Sequence, residues 1–192
     1  MGLQPGAETA IYQCLNLQPD ERCLIVTDDD RRPIGEALYD VARSVTDDAV
    51  LLTYPPGDQH GEEPPGPVAG ALAETDAFLA PTSKSISHTR ARSTATETGV
   101  RGATLPAITE QVFEHGLDAD YELIEETSEQ LHETVAGAEE IHVRAPAGTD
   151  ITIEPGDRDW RLDTGSIQDP GTFSNLPAGE VFVTPTMATG RF

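Results

Sequence analysis

Along the first two thirds of the chain, apolar residues fall into two alternating patterns. Short β-branched runs are separated by longer stretches whose apolar positions recur every three or four residues. Cys23–Thr27 reads CLIVT, a run that predicts a strand buried on both faces. Pro33 follows where a first helical turn tolerates it. Ile34, Ala37, Leu38, Val41, Ala42 and Val45 then line one helical face. Ala49–Tyr54, AVLLTY, predicts the second strand and completes a βαβ unit. Pro55–Pro67 is a Pro/Gly-rich surface loop, followed by a short helix over Val68–Glu74. The third strand is expected at Ala77–Pro81, with helical sequence from there to about Thr98, stopped by Gly99. A fourth short strand, Gly102–Leu105, leads to a helix over Ala107–His115 that ends at Gly116. The strongest helical pattern is Asp118–Val135, with Asp118 as cap and Tyr121, Ile124, Leu131 and Val135 on one face.

After Gly137 the period shortens to two. Ile141, Val143 and Ala145 alternate with polar residues, PAGTD makes a turn, and Ile151 and Ile153 resume the alternation. This predicts an antiparallel hairpin. The fold class expected is therefore α/β. An open, mostly parallel sheet with flanking helices occupies 1–136. A β-rich segment over 137–192 starts a second, incomplete domain.

Charge changes the picture more than length does. The chain carries 34 acids against 12 Lys and Arg, a net charge of -22. Self-repulsion of this size destabilises a compact state unless salt screens it. In molar salt the Debye length falls to about 3 Å. The reading is adaptation to a salty cytoplasm. The melting temperature is accordingly expected to rise from low to molar salt, and a salt-independent midpoint would refute the halophilic reading. No basic face is available to meet phosphates, so nucleic acid is not an expected partner. No apolar run is long enough for a membrane span. Met1–Ala10 lacks the basic and apolar regions of a secretory signal. Cys14 and Cys23 match no zinc spacing and read as reduced thiols, which places the chain in the cytoplasm.

Four stretches can carry chemistry. Asp28, Asp29 and Asp30 follow the first strand, where an α/β sheet binds ligands. They suit a hard cation, or a helix start capped by Asp30. Thr82–Arg90, TSKSISHTR, follows the third strand and holds Lys84, the only lysine. On a helix Lys84 and His88 would share a face and could bind a carboxylate or phosphate; the alternative is a solvated helix start. His60, His115, His132 and His142 are scattered, and neither GxSxG nor HExxH occurs. Asp150 sits in turn chemistry. Glu180 stands between Gly179 and the apolar run Val181–Val183. A carboxylate at the mouth of a buried strand needs a cation, a donor or a metal.

These residues carry a family likeness. Gly148-Thr149-Asp150, then Asn175-Leu176-Pro177-Ala178-Gly179-Glu180-Val181 and Pro185, resemble the aminopeptidase T and aminopeptidase S metallo-aminopeptidases. The stretch DAFLAPTSKSISHTRAR resembles their haloarchaeal leucyl aminopeptidase-like branch. The resemblance implies a two-metal hydrolase of N-terminal peptide bonds using zinc, cobalt or manganese, with Glu180 as one ligand. It places the remaining ligands in sequence beyond Phe192, which makes the isolated chain an inactive, truncated portion. Its partners would be a peptide substrate and either a homodimer mate or a missing C-terminal half. Iron-dependent dihydroxypyridine ring-cleaving dioxygenases share the same superfamily look and form the alternative. A non-catalytic binding module is the third reading.

Overall fold

A computed structural model describes residues 2–191 and divides them between two compact units. The first comprises Met1–Glu122 and Gly165–Ala178, the second Leu123–Thr164 and Gly179–Phe192. Helix α1 (Gln4–Glu8) runs into a π-helical segment, Thr9–Cys14. Next come β1 (Cys23–Asp28), α2 (Arg32–Val45), β2 (Ala49–Tyr54), α3 (Gly66–Ala73), β3 (Ala77–Thr82), α4 (Arg90–Glu97), β4 (Arg101–Pro106) and α5 (Glu110–Gly116). Helix α6 spans Tyr121–Val135. Strands β5 (Ile141–Arg144), β6 (Asp150–Glu154), β7 (Arg161–Asp163), β8 (Phe173–Asn175), β9 (Glu180–Phe182) and β10 (Met187–Arg191) follow.

The first unit is an α/β sheet of five parallel strands in the order β2-β1-β3-β4-β8. Every residue of β1 and of β3 is buried, as their continuous apolar runs require. On α2 the predicted face is inward: Ile34, Leu38, Val41 and Ala42 are buried. Gly35 joins them because a Cβ there would lie 2.7 Å from the Thr27 methyl. One face of the sheet packs Leu24, Val26, Phe78 and Ala80 against Val68, Leu72 and Ala95 of α3 and α4. Helix α1 lies against α2 and α5.

Three local expectations are corrected. Residues 83–89 form a loop, not a helix, because Thr89 caps α4 by accepting from Arg92 N. Asp30 does not cap α2; the Asp28 carboxylate accepts from Arg31 N at 3.1 Å. Helix α6 begins at Tyr121, and Asp120 rather than Asp118 accepts from Glu122 N. The N-terminal segment, for which the pattern predicts no element, buries Ala7, Ala10, Ile11, Cys14 and Leu15. Its π-helical turn breaks the 3.6-residue period that would have marked it.

The second unit holds the expected hairpin. Ile141 pairs with Ile153 and Val143 with Ile151 across the turn at 145–149. Strand β10 adds to β6 on its other side. A separate two-stranded ribbon joins β7 to β9. The sequence reading kept 137–192 together, whereas β8 pairs with β4 and 165–178 return to the first unit. Among the described residues no helix is long and apolar enough to cross a membrane.

Candidate functional site

The strand order reverses direction between β1 and β3, and the carboxyl ends of those strands flank a crevice where open α/β sheets take ligands. Asp28, buried at the end of β1, reaches across it. Its Oδ2 accepts from both the backbone N and the Oγ of Ser83, each at 2.6 Å. Asp29 pairs with Arg32 at 2.5 Å. The acidic run thus splits into a crevice anchor and a surface ion pair.

Loop 83–89 lies along this edge and is tied down by hydroxyl groups. Ser85 Oγ is 2.8 Å from Ser87 Oγ, which is 2.6 Å from Thr104 Oγ1. Thr104 in turn donates to Asn175 Oδ1 at 2.7 Å. The chain of hydroxyls couples the loop to β4 and to the end of β8. Arg92 donates to Ser87 O at 2.7 Å and stacks over the Phe173 ring at 4.2 Å. Lys84 is half-buried and lines a cavity of about 160 Å³ with Tyr54, Gln59, Glu62 and Ile86. Burial, reinforced by Asp28 and Glu62, pushes the Tyr54 phenol up to about 12, so it remains a donor at neutral pH. His88 is exposed at the far end of the loop.

The structure therefore keeps Lys84 and His88 on one loop at the ligand edge, though not on a helical face. Thr104 and Asn175 were not singled out. A lone hydroxyl inside the apolar run of β4 was the available signal for Thr104. Asn175 opens the same NLPAGE stretch that drew attention to Glu180.

Glu180 belongs to the second unit and opens β9. It is exposed, which corrects the expectation of an acid at a buried strand: among the described residues β9 pairs only with the three-residue β7. Its register partner is Asp163, so two carboxylate residues stand opposite one another. Such like-charge pairs repel. Cys14 and Cys23 are free and buried, and burial pushes both thiols up to about 12, away from ligand chemistry.

At the opposite, amino edge of the sheet, a groove of about 620 Å³ is lined by two ion pairs. Arg22 grips Asp76 with two nitrogens, and hydrogen bonding to Arg22 lowers the Asp76 carboxyl to about 2. Arg101 pairs with Glu21 at 2.9 Å.

Parallel strands, an order that reverses at β1/β3 and a polar loop at that point define a doubly wound α/β protein with its ligand edge at the strand carboxyl ends. The chain belongs to the NicX family, described as 2,5-dihydroxypyridine 5,6-dioxygenase, whose family model matches residues 9–191. Two solved structures share the fold. A 2,5-dihydroxypyridine dioxygenase from Pseudomonas putida KT2440 aligns with a TM-score of 0.69 at 15% identity, over 97% of this chain and 57% of that one. Wild-type AmpT from Thermus thermophilus aligns with a TM-score of 0.57 at 19% identity, over 97% of this chain and 62% of that one. This chain thus spans less than two thirds of the length of either structure. No curated protein matches it.

The family match overturns the aminopeptidase T and S resemblance, and hydrolysis of peptides goes with it. That resemblance rested on the NLPAGEV stretch, which lies within a fold both kinds of protein possess. A dioxygenase family implies a metal cofactor. Among the described residues, no three His, Cys, Asp or Glu side chains come together as a metal-ligand group. The described residues do not fit a complete metal centre.

Proposed function

We propose that this chain is the α/β portion of a metal-dependent dioxygenase that opens a hydroxylated pyridine ring, with iron as the metal. The family match over residues 9–191 carries the reading. In this proposal the carboxyl edge of the sheet binds the ring. Lys84 faces an oxygen substituent from the cavity it shares with Tyr54, and His88 approaches from the open end of loop 83–89. Both can hydrogen-bond a phenolate-like oxygen, Lys84 with the added benefit of charge. Glu180, exposed at the start of β9 in the second unit, is on its own a candidate carboxylate ligand for a metal.

The test is a titration of purified 1–192 with 2,5-dihydroxypyridine, followed by amide NMR. Resonances of loop 83–89 are expected to shift, and K84A to weaken binding about tenfold, as for loss of one charge-assisted hydrogen bond. Oxygen uptake by the iron(II)-treated chain alone is expected to stay at background. Shifts that avoid loop 83–89, or binding unaffected by K84A and H88A together, would refute the site assignment.

A further inference from the structure

Residues 55–65 connect β2 to α3 and fold over the carboxyl edge of the sheet. Pro55-Pro56 and Pro64-Pro65 bracket the segment and stiffen its ends. Between them, three contacts hold it down. Gly61 N donates to Ser85 O at 2.8 Å, and Ser85 N donates to His60 Nδ1 at 3.0 Å. The Glu63 carboxylate accepts from Arg90 N at 2.6 Å and Ala91 N at 3.1 Å, at the start of α4. Glu62 closes the segment on itself by accepting from Asp58 N and Gln59 N. The segment thereby forms one wall of the cavity that Lys84 lines.

We propose that residues 55–65 are a proton-sensitive strap, latched to loop 83–89 by His60 and hinged at Glu63. The latch requires a ring nitrogen that accepts, and only an unprotonated Nδ1 can do so. A proton on Nδ1 sets two N–H donors against each other, and the His60–Ser85 bond is lost. The charged and titratable groups around the latch are Asp58, Glu62 and Glu63 of the strap, Lys84 of the loop, Tyr54 of β2 and Arg90 of α4. None of them offers Ser85 N a substitute acceptor in this arrangement. The Glu63 end does not let go at the same time. Hydrogen bonds from Arg90 N and Ala91 N hold its carboxyl below the usual range, so it keeps its charge in mild acid. Acid therefore removes one of the two bonds that tie the strap to Ser85 and loosens the wall beside Lys84, while Gly61 N–Ser85 O and the Glu63 contacts stay. Near neutrality all of these ties are made. This device does not depend on which reaction the family fold supports.

Amide hydrogen exchange of 1–192, read residue by residue by NMR at roughly pH 8 and roughly pH 5, tests the latch without any ligand. Protection of Ser85 N–H, corrected for intrinsic exchange, is expected to fall about tenfold in acid, the worth of one net hydrogen bond. Ile25 N–H in the sheet core should keep its protection. H60N places a non-titrating acceptor near the Nδ1 position and should hold Ser85 protection at both pH values. H60A should lose it at both. Protection of wild-type Ser85 that does not change with pH would overturn the proposal. So would a fall in H60N that matches the wild type, or full protection in H60A.

Discussion

Arg101→Ala is expected to cost about 3–5 kcal/mol of stability, the penalty for removing one partner from a buried ion pair. Arg101 opens β4, and its side chain is 5% exposed. From there it reaches three separate pieces of chain. Nε donates to Gln168 O at 3.1 Å, ahead of β8, and Nη2 donates to Leu15 O at 3.0 Å, just past the π-helical turn. The same Nη2 meets Glu21 Oε2 at 2.9 Å, just before β1. Alanine would leave the Gln168 and Leu15 carbonyls without this donor and strip the half-buried Glu21 carboxylate of its counter-charge, with only Gln18 N still donating to it. Urea titration in molar salt checks this, with the midpoint falling and the slope unchanged. R101K should recover part of the loss by restoring the charge opposite Glu21 but not the forked reach to both carbonyls. A loss below about 1 kcal/mol in R101A would mean that the pair is a surface interaction in effect.

Gly102→Ala is the second severe change, expected at about 3 kcal/mol, the upper part of the usual overpacking range. Gly102 is the register partner of Phe78 on the neighbouring strand. A Cβ there would collide with the Phe78 carbonyl oxygen and lie 2.7 Å from Cε1 of the ring. Neither can retreat: the oxygen belongs to a central strand, and the ring is fully buried against α3 and α4. Gly102 N also donates to Thr172 O at 3.0 Å, which fixes the glycine from its other side. The substitution should lower the thermal midpoint by several degrees or more. An unchanged midpoint in G102A would show that the β3–β4 pairing can slide, contrary to the packing described.

The β1–α2–β2 unit was legible because the periods of β1 and α2 agree with their burial, while β2, an edge strand with Val50 exposed, showed through its apolar, β-strand-forming residues. CLIVT is apolar without interruption and lies inside; α2 has one apolar face and shows it to the sheet. β8 was not legible. It has three residues, one of them the buried Ser174, and it sits among Gly and Asp turns. What makes it a strand is its pairing with β4, far away in sequence, and no local pattern records that. The candidate site was half legible for the same reason. Lys84 and His88 were placed at the ligand edge by following β3 to its end. The groups that hold Ser87 in the same loop, the Thr104 hydroxyl and the Asn175 amide oxygen, reach it only through the sheet. The NLPAGEV stretch pointed to metallo-aminopeptidases, a reading the family match overturned, because a short segment does not specify which reaction a fold supports.

The return of 165–178 to the first unit has a consequence for how the chain acquires its structure. The sheet cannot be completed in order of synthesis. β1 to β4 can form a four-stranded sheet as soon as they emerge, but the strand that covers the β4 edge arrives only after the whole 123–164 stretch has been made. Through that interval β4 presents unpaired backbone groups, the kind of edge that recruits foreign strands. Once β8 docks, it seals the edge and closes a long loop, whose entropic cost grows only slowly with length. The 123–164 stretch is thus an excursion between two parts of the first unit, and the nascent protein passes through an open-edged stage that the finished sheet no longer shows.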